Sequence, residues 1–243
     1  MKTIYLLRHA RAEMADHNLA DKERRLVKSG IEDARTVAGI LKKFSSGPEL
    51  ILSSDTTRTV ETAKIIAKKL KIGGLEIVFN GEIFSAENSE TILNLIKALD
   101  DKYNSVMIIG HNPTLSALAG LLAKSFTFDL PKAGLLGIAC SSNTWQEVIP
   151  ETGQIKVFIA PLKKKRVERL KDELAKALGE RIETIVVETI SASGVNITPE
   201  ATTLVRKKSR QIAKKAINVQ GYPLLKTPEQ ISIFFQLDQQ KQD

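Results

Sequence analysis

One feature constrains this chain more than any other: an alternation of two periodicities. Short apolar runs rich in β-branched residues, Thr3 to Leu7, Leu50 to Ser53, Leu75 to Phe79 and Val106 to Gly110, alternate with segments whose aliphatics recur every three or four residues. Those segments are "SGIEDARTVAGILKKF", "TTRTVETAKIIAKKL", "SETILNLIKALDD" and "NPTLSALAGLLAKS". Strand runs separated by helical ones predict a mainly parallel sheet covered by helices on both faces. Two further runs, Leu135 to Ala139 and Ile155 to Ile159, have only the turn-rich "SSNTWQEVIPETG" between them, so they are expected as a hairpin or sheet edge. The predicted fold class is α/β, a three-layer α/β/α arrangement.

With 243 residues, 42% of them hydrophobic, the chain can bury a sizeable core. Its single cysteine, Cys140, excludes an intramolecular disulfide and reads as a small buried hydrophobe. With only three histidines besides, no structural zinc is expected, nor any other metal or cofactor. The opening run Ile4 to Leu7 is too short for a signal peptide and no later run reaches membrane-spanning length, so a cytoplasmic protein with no membrane partner is expected.

Charge divides the chain. Residues 1 to 160 carry 20 basic and 18 acidic side chains, whereas residues 161 to 243 carry 16 and 10, which puts most of the net +8 in the tail. Pro161 and the run "LKKKR" mark the change, and two regions are expected, 1–161 and 162–243. In the second, "KKKRVERLKDELAKALG" reads as an amphipathic helix with Val167, Leu170, Leu174 and Leu178 on one stripe and Gly179 as its cap. "IETIVVETI" then reads as a strand, "TPEATTLVRKKSRQIAKKAI" as a helix capped by Thr198 with Pro199 first, and "EQISIFFQL" as a last strand, a small α+β extension. Its lysines and arginines are either solvated helix faces or a docking surface for an acidic partner. Without interleaved aromatics or zinc-finger spacing, nucleic acid is not the expected partner.

Arg8 and His9 end the first apolar run, His111 ends the run "VMIIGHNP", and Arg58 lies just past "LILSS" in the first turn of the next helix. In a parallel sheet the carboxyl ends of strands open into one crevice, so residues a hundred positions apart can meet there. Nothing acidic in these motifs neutralises the two arginines and two histidines, which calls for an anion with several acceptor oxygens, and phosphate fits best. His17 reads as a loop residue and Trp145 as a packing residue.

"LLRHARAE", "DKERRLVKSGIEDA", "LILSSDTTRTVETA", "GEIFSAE" and "MIIGHNPTLSALA" together resemble the histidine phosphatase superfamily, with its phosphoglycerate mutase-like fold. The resemblance covers about residues 1 to 160 and is greatest to the SixA-like phosphohistidine phosphatase branch, whose opening motif commonly ends in alanine, here Ala10. It implies that His9 is the nucleophile and that Arg8, Arg58 and His111 hold the phosphoryl oxygens. It implies further that Asn112 donates through its backbone, that Arg24 reaches the pocket, and that Glu82 occupies the place of an acidic proton donor. Arg25 stands where the family's Asp-Arg-Pro-Leu segment has proline. The implied substrate is a phosphohistidine on a protein. A small-molecule phosphomonoesterase or mutase, and a silent phosphate-recognising module, are the alternatives. Oligomeric state is left open.

Overall fold

The computed structural model describes residues 1–15, 20–161, 164–193 and 197–217. The chain divides into two compact units, the first spanning Met1–Pro161 and the second beginning at Leu162. In the first unit six strands form one sheet in the order β3-β2-β4-β1-β5-β6: β1 Lys2–Arg8, β2 Leu50–Ser53, β3 Glu76–Phe79, β4 Ser105–Gly110, β5 Leu135–Cys140 and β6 Gln154–Ile159. The first four are parallel, with Leu6 beside Ile108 and Arg8 beside Gly110. The last two are antiparallel, β5 running against β1 and β6 against β5, as the missing helix between them requires.

β1, β2, β4 and β5 are buried almost throughout, because helices cover both faces. α1 Lys28–Phe44 packs on α2 Thr57–Leu70, and α4 Ser89–Lys97 packs on α5 Thr114–Leu122; the short α3 Glu82–Ser85 follows β3. Right-handed crossovers explain the division. The chain moves from β1 through β2 to β3 across one face, reverses, and returns through β4 toward β5 across the other. The connections leaving neighbouring β1 and β4 thus run in opposite directions, which opens a crevice beyond their carboxyl ends. Gly30 lets α1 enter close to this edge, for a Cβ there would lie 2.0 Å from the Arg11 carbonyl oxygen.

The second unit differs from the sequence reading. "IETIVVETI" is helical, not a strand: α6 runs unbroken over Lys164–Ala192. Half-buried Ile182, Val186 and Ile190 fall four residues apart, so the β-branched run has helical period once a partner helix covers it. Gly179 does not cap that helix but packs α7, Pro199–Ile217, which lies close enough that a Cβ would sit 3.2 Å from the Arg210 Cα. α7 begins as its sequence predicts, with Thr198 Oγ1 accepting from the Ala201 N–H at 3.2 Å and Pro199 at its first position. Ion pairing of Arg206 with Glu183 at 2.9 Å, beside Gly179 against Arg210, makes the pair antiparallel. The extension is therefore helical among the described residues, where an α+β unit was expected. The predicted strand at 229–237, the side chains of Val167, Leu170, Leu174 and Leu178, and His17 lie outside the described residues.

Candidate active site

His9 follows the last residue of β1 and is 7% exposed. Its backbone N–H donates to the Gly110 carbonyl at the end of β4, which carries the strand ladder into the site. Its Nδ1 lies 2.8 Å from the Ala10 carbonyl, an acceptor only, so the proton sits on Nδ1 and the lone pair on Nε2. Burial, then the positive charges of Arg58, Arg8 and Lys132, outweigh that hydrogen bond and press its pKa down to about 4. At neutral pH His9 is a neutral imidazole with a free nucleophilic nitrogen.

His111 occupies the same position after β4, its ring centroid 5.1 Å from that of His9. Arg58, 4% exposed in the first turn of α2, directs NH2 at its Nδ1 over 3.3 Å. Because a guanidinium only donates, Nδ1 accepts, and the ring proton on Nε2 is donated to Ser54 Oγ at 3.0 Å. Burial, followed by His9 and Arg58, lowers the His111 pKa to about 3, against the opposing charge of Asp21.

Arg8 is anchored through NH1 to the Leu130 carbonyl at 2.8 Å. The same carbonyl accepts from Asn112 Nδ2 at 3.2 Å, so Asn112 joins the site through its side chain, bracing the segment that holds Arg8. Ala133 N–H bonds the carbonyls of Arg8 and His9, both at 3.1 Å, and fastens the turn before β5 to the end of β1. Lys132 precedes it, its pKa lowered by burial and by the nearby arginines. Thr62, one turn beyond Arg58, accepts from the Ala10 N–H at 3.2 Å and locks α2 to the nucleophile strand.

Arg24 reaches this cluster by way of Asp21, which pairs with both Arg24 and Arg58. The expectation that no acid neutralises the arginines is thereby corrected. Asp21 lies in "DKERR", and only the fold turns that segment back onto α2. Asp129 adds a second acid whose charge acts on Arg8. Four cations, Arg8, Arg24, Arg58 and Lys132, still outnumber those two carboxylates. More telling, the Nε atoms of Arg8, Arg24 and Arg58 are all buried with no partner in the structure. Unpaired buried guanidinium N–H groups are costly, and those of Arg8 and Arg58, whose charges act on His9, suit a multi-oxygen anion.

Glu82 is less closely joined. It is exposed at the start of α3, its backbone N–H accepted by Asn80 Oδ1 at 2.8 Å. The residue α3 contributes to the cluster is Phe84, edge-on to His111 at 5.3 Å and beneath the Arg58 guanidinium at 5.9 Å. Ser54, Asp21 and Phe84 went unread in the sequence. Ser54 had a signal, since it follows β2 as His9 follows β1 and His111 follows β4.

Comparison with known proteins gives the family of the chain. The family model for branch 1 of the histidine phosphatase superfamily matches residues 4–82. A crystal structure of SixA from Agrobacterium tumefaciens is 30% identical, with a TM-score of 0.56, over 66% of this chain and 98% of that one. The chain belongs to the histidine phosphatase superfamily. Within it the chain stands on the SixA-like branch, and that membership makes it an enzyme of the phosphatase class. A protein histidine phosphatase SixA complexed with tungstate shares the fold at 18% identity and a TM-score of 0.55, over 65% of this chain and 97% of its own. An uncharacterized chloroplastic protein of Arabidopsis thaliana is 29% identical over 63% of this chain and 72% of that protein. Another from Mycobacterium leprae is 27% identical over 64% and 99%. Roughly a third of the chain has no counterpart in the Agrobacterium histidine phosphatase.

Proposed function

We propose that the unit formed by residues 1–161 dephosphorylates phosphohistidine on a protein, through a phosphoryl group carried transiently on His9. The observation that carries this reading is His9 itself. It is a buried neutral imidazole whose Nδ1 proton is held by Ala10, beside Arg8 and Arg58, whose Nε–H donors are unpartnered. In the first step the Nε2 lone pair attacks phosphorus in line, and the P–N bond of the substrate breaks, its electrons leaving with the substrate imidazole, which departs neutral because its other ring nitrogen carries a proton. Arg8, Arg24 and Arg58 meet the charge on the non-bridging oxygens. In the second step water attacks the phosphoenzyme, and His9 leaves with its lone pair restored as inorganic phosphate departs.

Glu82 bears on the substrate. An alkoxide leaving group needs a proton, and a well-placed general acid is worth about 10²- to 10⁴-fold. Imidazole is far easier to expel. An exposed Glu82, with Phe84 rather than its carboxylate against His111, therefore suits a phosphoramidate better than an ester.

Phosphate release from phosphohistidine-containing protein and from p-nitrophenyl phosphate, measured in parallel without added metal, tests the reading. Wild type should release phosphate from phosphohistidine, His9→Ala should not, and Glu82→Gln should leave that rate within about threefold, since the imidazole leaving group draws no proton from it. Turnover of esters alone would move the substrate to a small phosphomonoester. Inactivity on both would reduce the site to a phosphate-recognising module.

A further inference from the structure

Asp21 has no assigned part in this chemistry, yet it is the most intimate partner of Arg58. Its carboxylate Oδ2 accepts from Arg58 NH2 at 2.8 Å and its backbone carbonyl accepts from NH1, so one residue grips both terminal nitrogens of the guanidinium. The other carboxylate oxygen, Oδ1, pairs with NH2 of Arg24, three residues on in the same turn. With their outer nitrogens held, Arg58 and Arg24 each keep a buried Nε–H that nothing in the structure accepts.

The pair is one-sided: the Arg58 side chain is 4% exposed and depends on Asp21 for both terminal nitrogens, whereas the Asp21 side chain is 51% exposed. The backbone around it is nonetheless arranged to present it. Asp21 opens a 3-10 turn, Asp21–Glu23. The stretch leading out of that turn is tied to the same helix that carries Arg58, for Leu26 N–H donates to Glu61 Oε2 at 2.7 Å. Ala12 and Leu26 close its base in an isolated β-bridge, and Glu13 and Arg25 bond beside it at 2.9 Å. Arg58 and Glu61, one turn of α2, thus hold the two ends of the run 21–26.

We propose that Asp21 is a positioning residue for phosphoryl transfer: it orients the guanidinium groups of Arg58 and Arg24 so that their Nε–H edges are left for the transferring phosphoryl oxygens. The proposal rests on the phosphohydrolase reading above. Positioning of this kind matters because a guanidinium displaced by about 1 Å can lose about 10²-fold in rate. It acts on turnover more than on ground-state binding, since removing a carboxylate also removes a charge that repels phosphate.

The test compares Asp21→Ala, Asp21→Asn and Asp21→Glu in the full chain, by steady-state kinetics on phosphohistidine-containing protein and by calorimetric binding of inorganic phosphate. Asp21→Ala should lower kcat about 10- to 100-fold with KM changed less than about threefold, and Asp21→Glu should recover part of the loss. Asp21→Asn should fall between. In an Arg58→Ala background, Asp21→Ala should lower kcat by clearly less than it does in wild type, because only Arg24 is then left for it to position. Unchanged kcat in Asp21→Ala, or tighter phosphate binding with no loss of kcat, would overturn the proposal, the second outcome marking Asp21 as a mere competitor. A full loss in the Arg58→Ala background would overturn it too. If wild type hydrolyses nothing, the phosphohydrolase reading fails instead, and phosphate affinities then carry the test: equal affinity in wild type and Asp21→Ala leaves Asp21 without influence on the anion site.

Discussion

The two ends of β1 bury cations in opposite ways. At its start Lys2 is 1% exposed, yet its ammonium is fully engaged: Nζ donates to the carbonyls of Asp101 at 2.9 Å and Tyr103 at 2.8 Å, and pairs with the Asp101 carboxylate at 3.3 Å. Trp145, wholly buried, lies beneath that ammonium at 5.1 Å and donates its indole N–H to the Tyr103 carbonyl. At the other end of the strand Arg8 and its neighbours keep three buried Nε–H groups without acceptors. A cation buried for structure satisfies its donors inside the protein, whereas one buried for chemistry holds some of them for a ligand. The difference separates a rivet from a binding site within seven residues of one strand.

The largest break in that comparison is expected at the carboxyl end. Arg58→Ala removes an Nε–H that has no protein acceptor, together with the terminal nitrogens that Asp21 and His111 engage, and should lower kcat for phosphohistidine about 10²- to 10³-fold, as loss of a charge-stabilising donor does elsewhere. Its melting temperature should fall by less than that of Lys2→Met, because the Asp21 side chain it leaves behind is half exposed to water. Rapid-quench kinetics beside thermal unfolding monitored by circular dichroism would check both, and an intact rate would sever the unpartnered guanidinium from function.

Lys2→Met should behave in the opposite manner. The Asp101 carbonyl loses the ammonium and the Tyr103 carbonyl and Asp101 carboxylate are left with Trp145 alone, which costs about 1–3 kcal/mol and lowers the melting temperature by roughly 2–4 °C per kcal/mol in a unit of this size. Turnover per folded molecule should stay within about twofold, because nothing at that end of β1 touches the crevice. A Lys2→Met protein with wild-type unfolding and impaired turnover would collapse the contrast.

The smallest effect concerns pH. His9 and His111 titrate near 4 and 3 in the folded protein, below the ordinary histidine value of 6.5. Between those values the unfolded chain binds more protons than the folded one, so stability is complete above about pH 6.5 and is lost as pH falls toward 4. The rate should follow the His9 value instead, level from neutrality down to about pH 5 and falling as imidazolium forms near 4. His111→Asn should flatten the stability profile in the lower part of that window, and an unchanged slope in differential scanning calorimetry would show that the ring is not held neutral by its surroundings.

Much of the site could be read from residue types because strand ends are local features. An apolar run that stops at Arg8 and His9, another at Gly110 and His111, and a helix starting at Arg58 need only parallel pairing to converge. Asp21 lay beyond that logic. Its motif is polar and loop-like, and its meeting with Arg58, thirty-seven residues away, depends on how the run 21–26 folds back on α2. Arg24 was placed in the pocket by resemblance, and its link to the other arginines runs through that same aspartate.

What this sequence determined by itself is the layered α/β plan and the four chemical residues at its edge, because the periods of two and 3.6 and the strand-terminal polar residues are written in consecutive positions. Tertiary structure decided the rest. "IETIVVETI" has a strand's composition and a helix's spacing, and α7, close against Gly179, settles which one counts. The same holds for the guanidinium groups: a sequence can show that arginines are present, but only packing decides which of their nitrogens the protein takes and which it leaves.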